Sequence, residues 1–372
     1  MKILYVTTIS LTMNSFFKPH IDMLVKEGHK VDIACNYKDL VLDNLYSELG
    51  CDFFQIDFSR SPLSFNNVKA FFQLKKIIKD GGYDIVHCHT PNAAVITRLV
   101  CRKFRKNGLK VFYTAHGFHF YKGAPKFNWL FFYPVEKICS KFTDKLITIN
   151  KEDYELAKSK FYAKEVHYIP GVGVDLSRFE NVQVNKSDKR RETGVPEDAI
   201  LLLSVGELNE NKNHQVVIKA LTQIDNKNIH YAIAGIGDKK EYLLNLAKEL
   251  GLSDRVHLLG YRNDVAELYK AADIFCFPSI REGLGLAAVE AMACGLPVVA
   301  ADNRGTRSFI EDETNGFICK YDDEKNFADV CVRIITDSNL KNKIAVEGIY
   351  TAKKFSQKKV LQIIQQIHNS LF

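Results

Sequence analysis

Two glutamates stand eight positions apart in the segment Phe277-Pro278-Ser279-Ile280-Arg281-Glu282-Gly283-Leu284-Gly285-Leu286-Ala287-Ala288-Val289-Glu290-Ala291-Met292. A short apolar strand ends at Phe277, glycines flex the residues after it, and a helix is expected to open near Leu284. Backbone N–H groups at a helix start lack intrahelical partners and suit a phosphate, which makes Gly283, Leu284, Gly285 and Leu286 candidate contacts for an anion. Glu282 falls in the loop and Glu290 on the helix. Carboxylates accept paired hydrogen bonds, as vicinal hydroxyls of a sugar or ribose require. The plainer reading makes Glu282 a complement to the helix dipole and Glu290 a solvated face residue. Ala288, Val289, Ala291 and Met292 surround Glu290 with apolar company that a solvated face does not call for, and that favours binding.

Three other places carry candidate chemistry. His116 ends the apolar run Val111–Ala115 and precedes Gly117, which lets backbone approach a ligand. His87 and His89 share a strand face by alternation. No further Cys or His lies at zinc-ligand spacing, so they are expected to be satisfied strand residues, and no metal is expected. Gly235-Ile236-Gly237-Asp238 is half of a dinucleotide fingerprint, but position 240 is Lys240 where a third glycine would stand, which weakens a dehydrogenase reading.

These residues need elements to hold them. The 372 residues, 46% hydrophobic and 26% charged, suffice for two domains with real cores and exclude a disordered or collagen-like chain. No apolar run reaches the ~18 residues of a membrane span. The N-terminus reads as a first strand and not as a leader, so the chain is expected in the cytoplasm. Nine scattered cysteines without a C-x-x-C pair fit reduced, buried thiols. Near-continuous apolar runs of strand length alternate with amphipathic segments: Ile3–Thr8, Val31–Cys35, Phe53–Ile56, Ile85–Cys88, Val111–Ala115, Leu146–Ile149 and Val166–Ile169, then Ile200–Val205, Tyr231–Ala234, Val256–Leu259, Ile274–Phe277, Val298–Ala300 and Phe317–Cys319. Such runs mean strands buried on both faces. The expected fold is α/β: two facing Rossmann-like, doubly wound parallel-sheet domains with a cleft between them. The boundaries fall at 1–180 and 181–357, and 358–372 forms an apolar-striped helix that could cross back onto the first domain.

The spacing Glu282-x7-Glu290, with Pro278-Ser279 before it and Gly295-Leu296-Pro297-Val298 after it, resembles the signature of retaining glycosyltransferases of family 4. Gly260-Tyr261-Arg262-Asn263-Asp264, followed by Tyr269-Lys270-Ala271-Ala272-Asp273, is similar to the family's nucleotide-base loop. His87-Cys88-His89 and Thr114-Ala115-His116-Gly117 match its first-domain strand ends. The stretch from Ala115 to Pro125 is similar to the branch that builds capsular and exopolysaccharides. The resemblance implies the GT-B fold, with acceptor on the first domain and nucleotide-sugar on the second. It implies that Glu290 holds the ribose, that Glu282 meets the donor hexose, and that His116 faces that sugar. It also implies a cation on the leaving phosphate after the first strand of the second domain. Gly206-Glu207-Leu208-Asn209-Glu210-Asn211-Lys212 keeps the lysine as Lys212 but has Glu207 where the family has arginine. Arg281, Arg304 or Arg307 could supply the missing charge. The first loop, Ser10 to Ser15, lacks the glycine pair of many relatives. No D-x-D triplet occurs, which argues against the metal-dependent GT-A architecture.

The expected donor is a nucleotide-sugar, most readily a UDP-sugar, and the acceptor a lipid-diphosphate-linked saccharide. The donor is a substrate, and no cofactor is called for. Two other readings stay open: a nucleotide-sugar epimerase on the same scaffold, and a non-catalytic partner subunit in polysaccharide assembly. Charge bears on the partner. Residues 1–180 hold 26 basic and 18 acidic side chains, residues 181–372 hold 25 and 26, so the excess lies in the first half. Arg98, Arg102, Lys103, Arg105, Lys106 and Lys110 cluster there, near the aromatic stretch Phe127 to Tyr133. A solvated face and a buried core helix would explain both. The functional reading is peripheral docking on the anionic inner face of the cell membrane. No recognised nucleic-acid module is present, so nucleic acid is not an expected partner.

Overall fold

A computed structural model describes residues 1–180 and 182–370; the domain start expected at 181 and the last residues of the terminal segment, 371–372, lie outside the described residues. The apolar runs form two sheets whose strand pairs are parallel. The first contains β1 (Lys2–Ile9), β2 (Lys30–Asn36), β3 (Phe53–Gln55), β4 (Ile85–His89), β5 (Lys110–Ala115), β6 (Lys145–Thr148) and β7 (Glu165–Tyr168), in the order β3-β2-β1-β4-β5-β6-β7. The second contains β8 (Ile200–Val205), β9 (Ile229–Ala234), β10 (Val256–Gly260), β11 (Ile274–Phe277), β12 (Val298–Ala301) and β13 (Phe317–Cys319), in the order β10-β9-β8-β11-β12-β13. Each sheet is doubly wound, and its order reverses at the first strand of the domain. Ligands in such sheets bind where that reversal opens a crevice at the carboxyl ends of the strands.

Burial follows the pattern the strands announce. Leu4, Val6, Val86, Cys88 and Val111 of the first sheet share a core with Leu74, Ile78 and Val100 of its helices. Leu202, Tyr231, Ile233, Ile274 and Val299 do the same in the second with Val217, Leu243 and Phe327. Each such side chain contributes roughly 1.5–3 kcal/mol by leaving water. All nine cysteines are free thiols, and eight of them are buried.

The chain divides into two compact units, residues 1–172 with the C-terminal segment from Val360, and Gly173–Lys359. The stretch Gly173–Glu180, assigned on composition to the first domain, clusters with the second. Val174 accepts from the Gln357 N–H at 2.8 Å and donates to the Phe355 carbonyl at 2.9 Å. Phe179, buried, lies 6.1 Å from the Tyr269 ring. The helix Gln357–Asn369 buries Val360, Ile364, Ile367 and His368. Lys145 of β6, 1% exposed on its side chain, donates to the Ile367 carbonyl at 2.6 Å and ties that helix to the first sheet.

Several histidines are buried in the first unit, and this gives it an acid-sensitive core. Burial lowers His20, His116 and His368 to about 4 and pushes His87 and His89 down as well. The unfolded chain therefore takes up protons first. The contribution of these histidines is complete above about pH 6.5 and is lost as pH falls from there toward 4, by at most about 1.4 kcal/mol per pH unit for each. Thermal melting followed from pH 7 to pH 5 should show the midpoint falling steadily; a flat profile would contradict it.

Candidate active site

In the second unit the loops after β8, β11 and β12 are tied to one another. The chain leaves β8 through Gly206, whose missing side chain makes room for the stem of Lys212: a Cβ there would lie 3.2 Å from the lysine Cε. Asn213 sits at φ +53 and donates to the carbonyls of Tyr321, at 2.7 Å, and Pro278, at 3.3 Å. This brings Lys212 to the loop after β11, where its Nζ lies 2.6 Å from Oε1 of Glu282. The loop after β12 supports Glu282 from the other side. Asn303 donates to the Ser279 carbonyl at 2.8 Å and accepts from the N–H groups of Gly305, at 2.9 Å, and Thr306, at 3.1 Å. Gly305 is pressed so closely that a Cβ would fall 2.6 Å from the Leu284 carbonyl oxygen and 2.9 Å from Cβ of Glu282.

The helix expected near Leu284 opens two residues later, as Leu286–Ala293. Gly285 is left-handed, at φ +102, and lies so close to Phe277 that a Cβ would be 2.7 Å from its ring. Leu284 is thereby a buried loop residue, while Gly283 stays in the loop and Leu286 begins the helix. Glu290 is no solvated face residue. Burial raises its pKa, and the Tyr269 hydroxyl donates to its Oε2 at 3.1 Å.

The remaining candidates of this unit differ in their surroundings. Arg307 holds Asp302 through Nε at 2.6 Å and Nη2 at 3.1 Å. Arg304 is buried and turns Nε toward the Glu282 carbonyl at 3.4 Å; Arg281 is exposed. Glu207 is exposed and accepts from Asn209 of its own loop at 2.8 Å. Arg262 bonds Asp264 through Nε at 2.8 Å and also meets Glu192. Beside it Gly260 is left-handed and Tyr261 is 71% exposed. Asn213 and Asn303 are not legible as site residues in the sequence, and Tyr269 enters there only within the base-loop pattern, with no role of its own. Each neighbours a site residue in sequence or space, but an amide or phenol carries no signal until its partners are known.

In the first unit His116 follows β5 directly, and its Nε2 lies 3.3 Å from Nδ1 of His89. Gly117 after it has φ +128. Next to it a cavity of about 670 Å³ opens at the ends of β1, β4 and β5. Thr8, Thr90 and Gly117 line its strand side, and Ile96, Phe132 and Val135 its apolar wall. Arg60, exposed, also lines it, and so does Glu136, which pairs at 2.8 Å with the fully buried Arg98. This removes Arg98 from the basic surface. Arg105 leaves it too, held by Asp144 at 2.9 and 2.8 Å, so Arg102, Lys103 and Lys106 are the exposed cations of that stretch. The aromatic stretch is not a core helix: Phe127, Trp129, Leu130 and Phe131 are all exposed. Among the described residues no helix is long and apolar enough to cross a membrane, and no group of His, Cys, Asp and Glu is arranged to hold a metal ion.

Two family patterns match the chain, "Glycosyl transferase 4-like" over residues 2–150 and "Glycosyl transferases group 1" over residues 185–349. The chain is 39% identical to the putative glycosyltransferase EpsD of Bacillus subtilis over 99% of its own length and 96% of that protein's. It belongs to the family 4 glycosyltransferases. A second relative of this glycosyltransferase, 29% identical over 92% of the chain and 91% of the relative, is the Escherichia coli UDP-Gal:alpha-D-GlcNAc-diphosphoundecaprenol alpha-1,3-galactosyltransferase. Its fold is shared by Anabaena HepE, solved with UDP and glucose (TM-score 0.79, 20% identity, 100% of both chains), and by the sucrose-phosphate synthase of Thermosynechococcus elongatus (TM-score 0.80, 20% identity, 100% and 99%). That fold is GT-B.

The contact at Gly305 yields a test. Gly305→Ala must push the Glu282 loop off its support, a strain of about 1–3 kcal/mol. The glycosyltransferase should melt a few degrees lower and lose transfer activity far more than its folded fraction accounts for. Unchanged activity would show that the loop's position does not matter.

Proposed function

We propose that this glycosyltransferase moves a hexosyl or N-acetylhexosaminyl group, with retention, from a UDP-sugar to a polyprenyl-diphosphate-linked saccharide in polysaccharide biosynthesis. The observation that carries the reading is the convergence of Lys212 and Glu282 from two strand-end loops of the second unit, beside the helix that carries Glu290. A cation there suits the diphosphate, Glu282 the hexose hydroxyls, and Glu290 the ribose. The printed activity of the Escherichia coli relative supplies the donor and acceptor classes.

The reaction needs no protein nucleophile. The bond from the anomeric carbon to the phosphate oxygen breaks, the acceptor oxygen bonds the same face, and its proton passes to the departing phosphate oxygen. Positioning and charge stabilisation supply the rate. Lys212 stabilises the leaving phosphate. Arg304, on the loop that supports Glu282 and with its Nε turned toward the Glu282 carbonyl, takes the place of the family's arginine, while Glu207 turns to its own loop. His116 contacts the donor sugar. The cavity beside Gly117, apolar on one wall and lined by Arg60, receives the diphosphate end of the lipid acceptor and its first isoprene units. Phe127, Leu130 and Phe131, with Arg102, Lys103 and Lys106, dock the enzyme on an anionic membrane.

Purified enzyme incubated with a panel of UDP-sugars and a polyprenyl-diphosphate-linked acceptor should release UDP only when acceptor is present. A converted free nucleotide-sugar would mean epimerisation, and binding without turnover a non-catalytic subunit. Lys212→Ala, Glu282→Ala and Arg304→Ala should each lower kcat about a hundredfold or more, and Arg307→Ala little. Glu290→Gln should raise the donor KM roughly tenfold, the cost of one hydrogen bond to a charged group. If Arg307→Ala were the damaging change, the clamp would move there.

Sedimentation with vesicles checks docking. At low salt the enzyme should bind phosphatidylglycerol-rich vesicles and not neutral ones, and replacing Phe127, Leu130 and Phe131 by serine should abolish binding. No binding by the wild type removes the membrane role.

A further inference from the structure

Histidines line one face of the first sheet, where a doubly wound domain ordinarily carries apolar side chains. His20 comes from the helix Lys18–Lys26, His87 and His89 from β4, His116 from the end of β5 and His368 from the helix Gln357–Asn369. Ring centroids are 5.3 Å apart for His368 and His87, 4.3 Å for His87 and His89, and 5.5 Å for His89 and His116. Tyr5 of β1 stacks on His89 at 5.3 Å, and Phe17 lies 4.1 Å from the same ring. Apart from His116, each of the five is 2% exposed or less.

Burial keeps these rings neutral. A neutral imidazole has one N–H and one bare nitrogen, so its partners reveal which is which. His20 Nε2 faces the Val172 carbonyl at 3.4 Å, and His368 Nδ1 faces the Ile364 carbonyl at 2.9 Å. A carbonyl only accepts, so those nitrogens carry the protons. The other nitrogens, His20 Nδ1 and His368 Nε2, are buried without a partner. The unpartnered nitrogen is therefore the bare one, as it should be, because a buried N–H without an acceptor is the rarer and costlier defect. In His89 the buried unpartnered atom is Nε2. Its proton then sits on Nδ1 and is donated across the 3.3 Å bond to Nε2 of His116. His116 is left with its own proton on Nδ1, which has no partner among the described residues.

We propose that His89 is a positioning residue that fixes His116 as the Nδ1–H tautomer, so that His116 offers a hydrogen-bond donor, and not a base, to an oxygen of the nucleotide-sugar. This rests on the reading of His116 as a substrate contact. It agrees with a reaction in which the departing phosphate takes the proton and leaves the protein no base to supply. His87, whose Nε2 meets the Thr114 hydroxyl at 2.8 Å, and Tyr5 pack against the His89 ring and hold its orientation.

Long-range proton–nitrogen spectra of the full chain, labelled with ¹⁵N-histidine at pH 7.5, read the tautomer directly and need no activity. His116, assigned by the loss of its signals in His116→Asn, should be protonated at Nδ1. In His89→Phe, which keeps a ring in place, it should become a mixture of tautomers. The same variant should lose about tenfold in kcat with donor KM little changed, and His89→Asn, which restores an N–H near the Nδ1 position, should recover most of it. His116→Asn keeps a donor near Nδ1 and should stay within about tenfold of wild type, whereas His116→Ala should lose about a hundredfold. A wild-type His116 protonated at Nε2, or a tautomer unmoved in His89→Phe, overturns the proposal; so does an Asn variant as inactive as the Ala variant. If the spectra show the Nδ1–H form but His116→Ala transfers sugar normally, the substrate-contact reading fails instead.

Discussion

A parallel sheet buried on both faces can present chemistry only where its strands end, and that constraint governs this molecule. Every strand pair in both sheets is parallel, so the loops at the carboxyl ends must supply the polar groups that the interior excludes. In the second unit those loops are packed backbone against backbone. A Cβ at Gly235 would fall 1.8 Å from the Gly206 carbonyl oxygen, and one at Gly237 would fall 2.3 Å from that of Leu208. The pair that resembles half a dinucleotide fingerprint is thus a spacer. It lets the loop after β9 lie on the loop after β8, and so sets where Lys212 begins.

The same constraint explains which parts of the molecule were legible in the sequence. The strands are near-continuous apolar runs, and their alternation with amphipathic segments implies two doubly wound sheets. Glu282, Glu290 and Lys212 were legible as candidates because their residue types and spacing carry a family pattern. Their supports were not. Nothing in the sequence shows that Asn303 would face Ser279, or that Tyr269 would meet Glu290, because such bonds join residues 20 or more positions apart. The helix start slipped by two residues because Gly285 takes a left-handed turn to clear Phe277, a tertiary contact. The cluster of cations between Arg98 and Lys110 misled for a related reason. Counting charges treats them alike, whereas Glu136 and Asp144 draw Arg98 and Arg105 inward.

His87 and His89 show how far the residue-by-residue reading reaches. Alternation placed them on one strand face, and the lack of a further Cys or His at zinc-ligand spacing made a metal a poor choice. Both inferences concern the strand alone. The consequence for His116 needs His20 and His368, which lie 67 and 281 positions away from His87. The rings explain one another only as a group: carbonyls fix the outer two, and their pattern of bare nitrogens then decides the inner ones.

The charge balance of the second unit turns on what the cations already hold. Arg262 is taken by Asp264 and Glu192, Arg307 by Asp302, Arg190 by Asp273, and Lys189 by Asp264 and Glu267. A unit of nearly balanced charge that must accept a diphosphate has little cation to spare. Lys212 is itself paired with Glu282 at 2.6 Å, yet this pair differs from the others in joining two loops and not in stitching one surface. On the proposed reading the diphosphate competes with Glu282 for Lys212, and the freed carboxylate turns to the sugar hydroxyls that arrive with it. One ion pair thus keeps both ligand-binding groups in register before the donor binds. Replacing either partner alone leaves the other charge uncompensated at the crevice, so the two substitutions should not be additive: the double variant should be little worse than the worse single one.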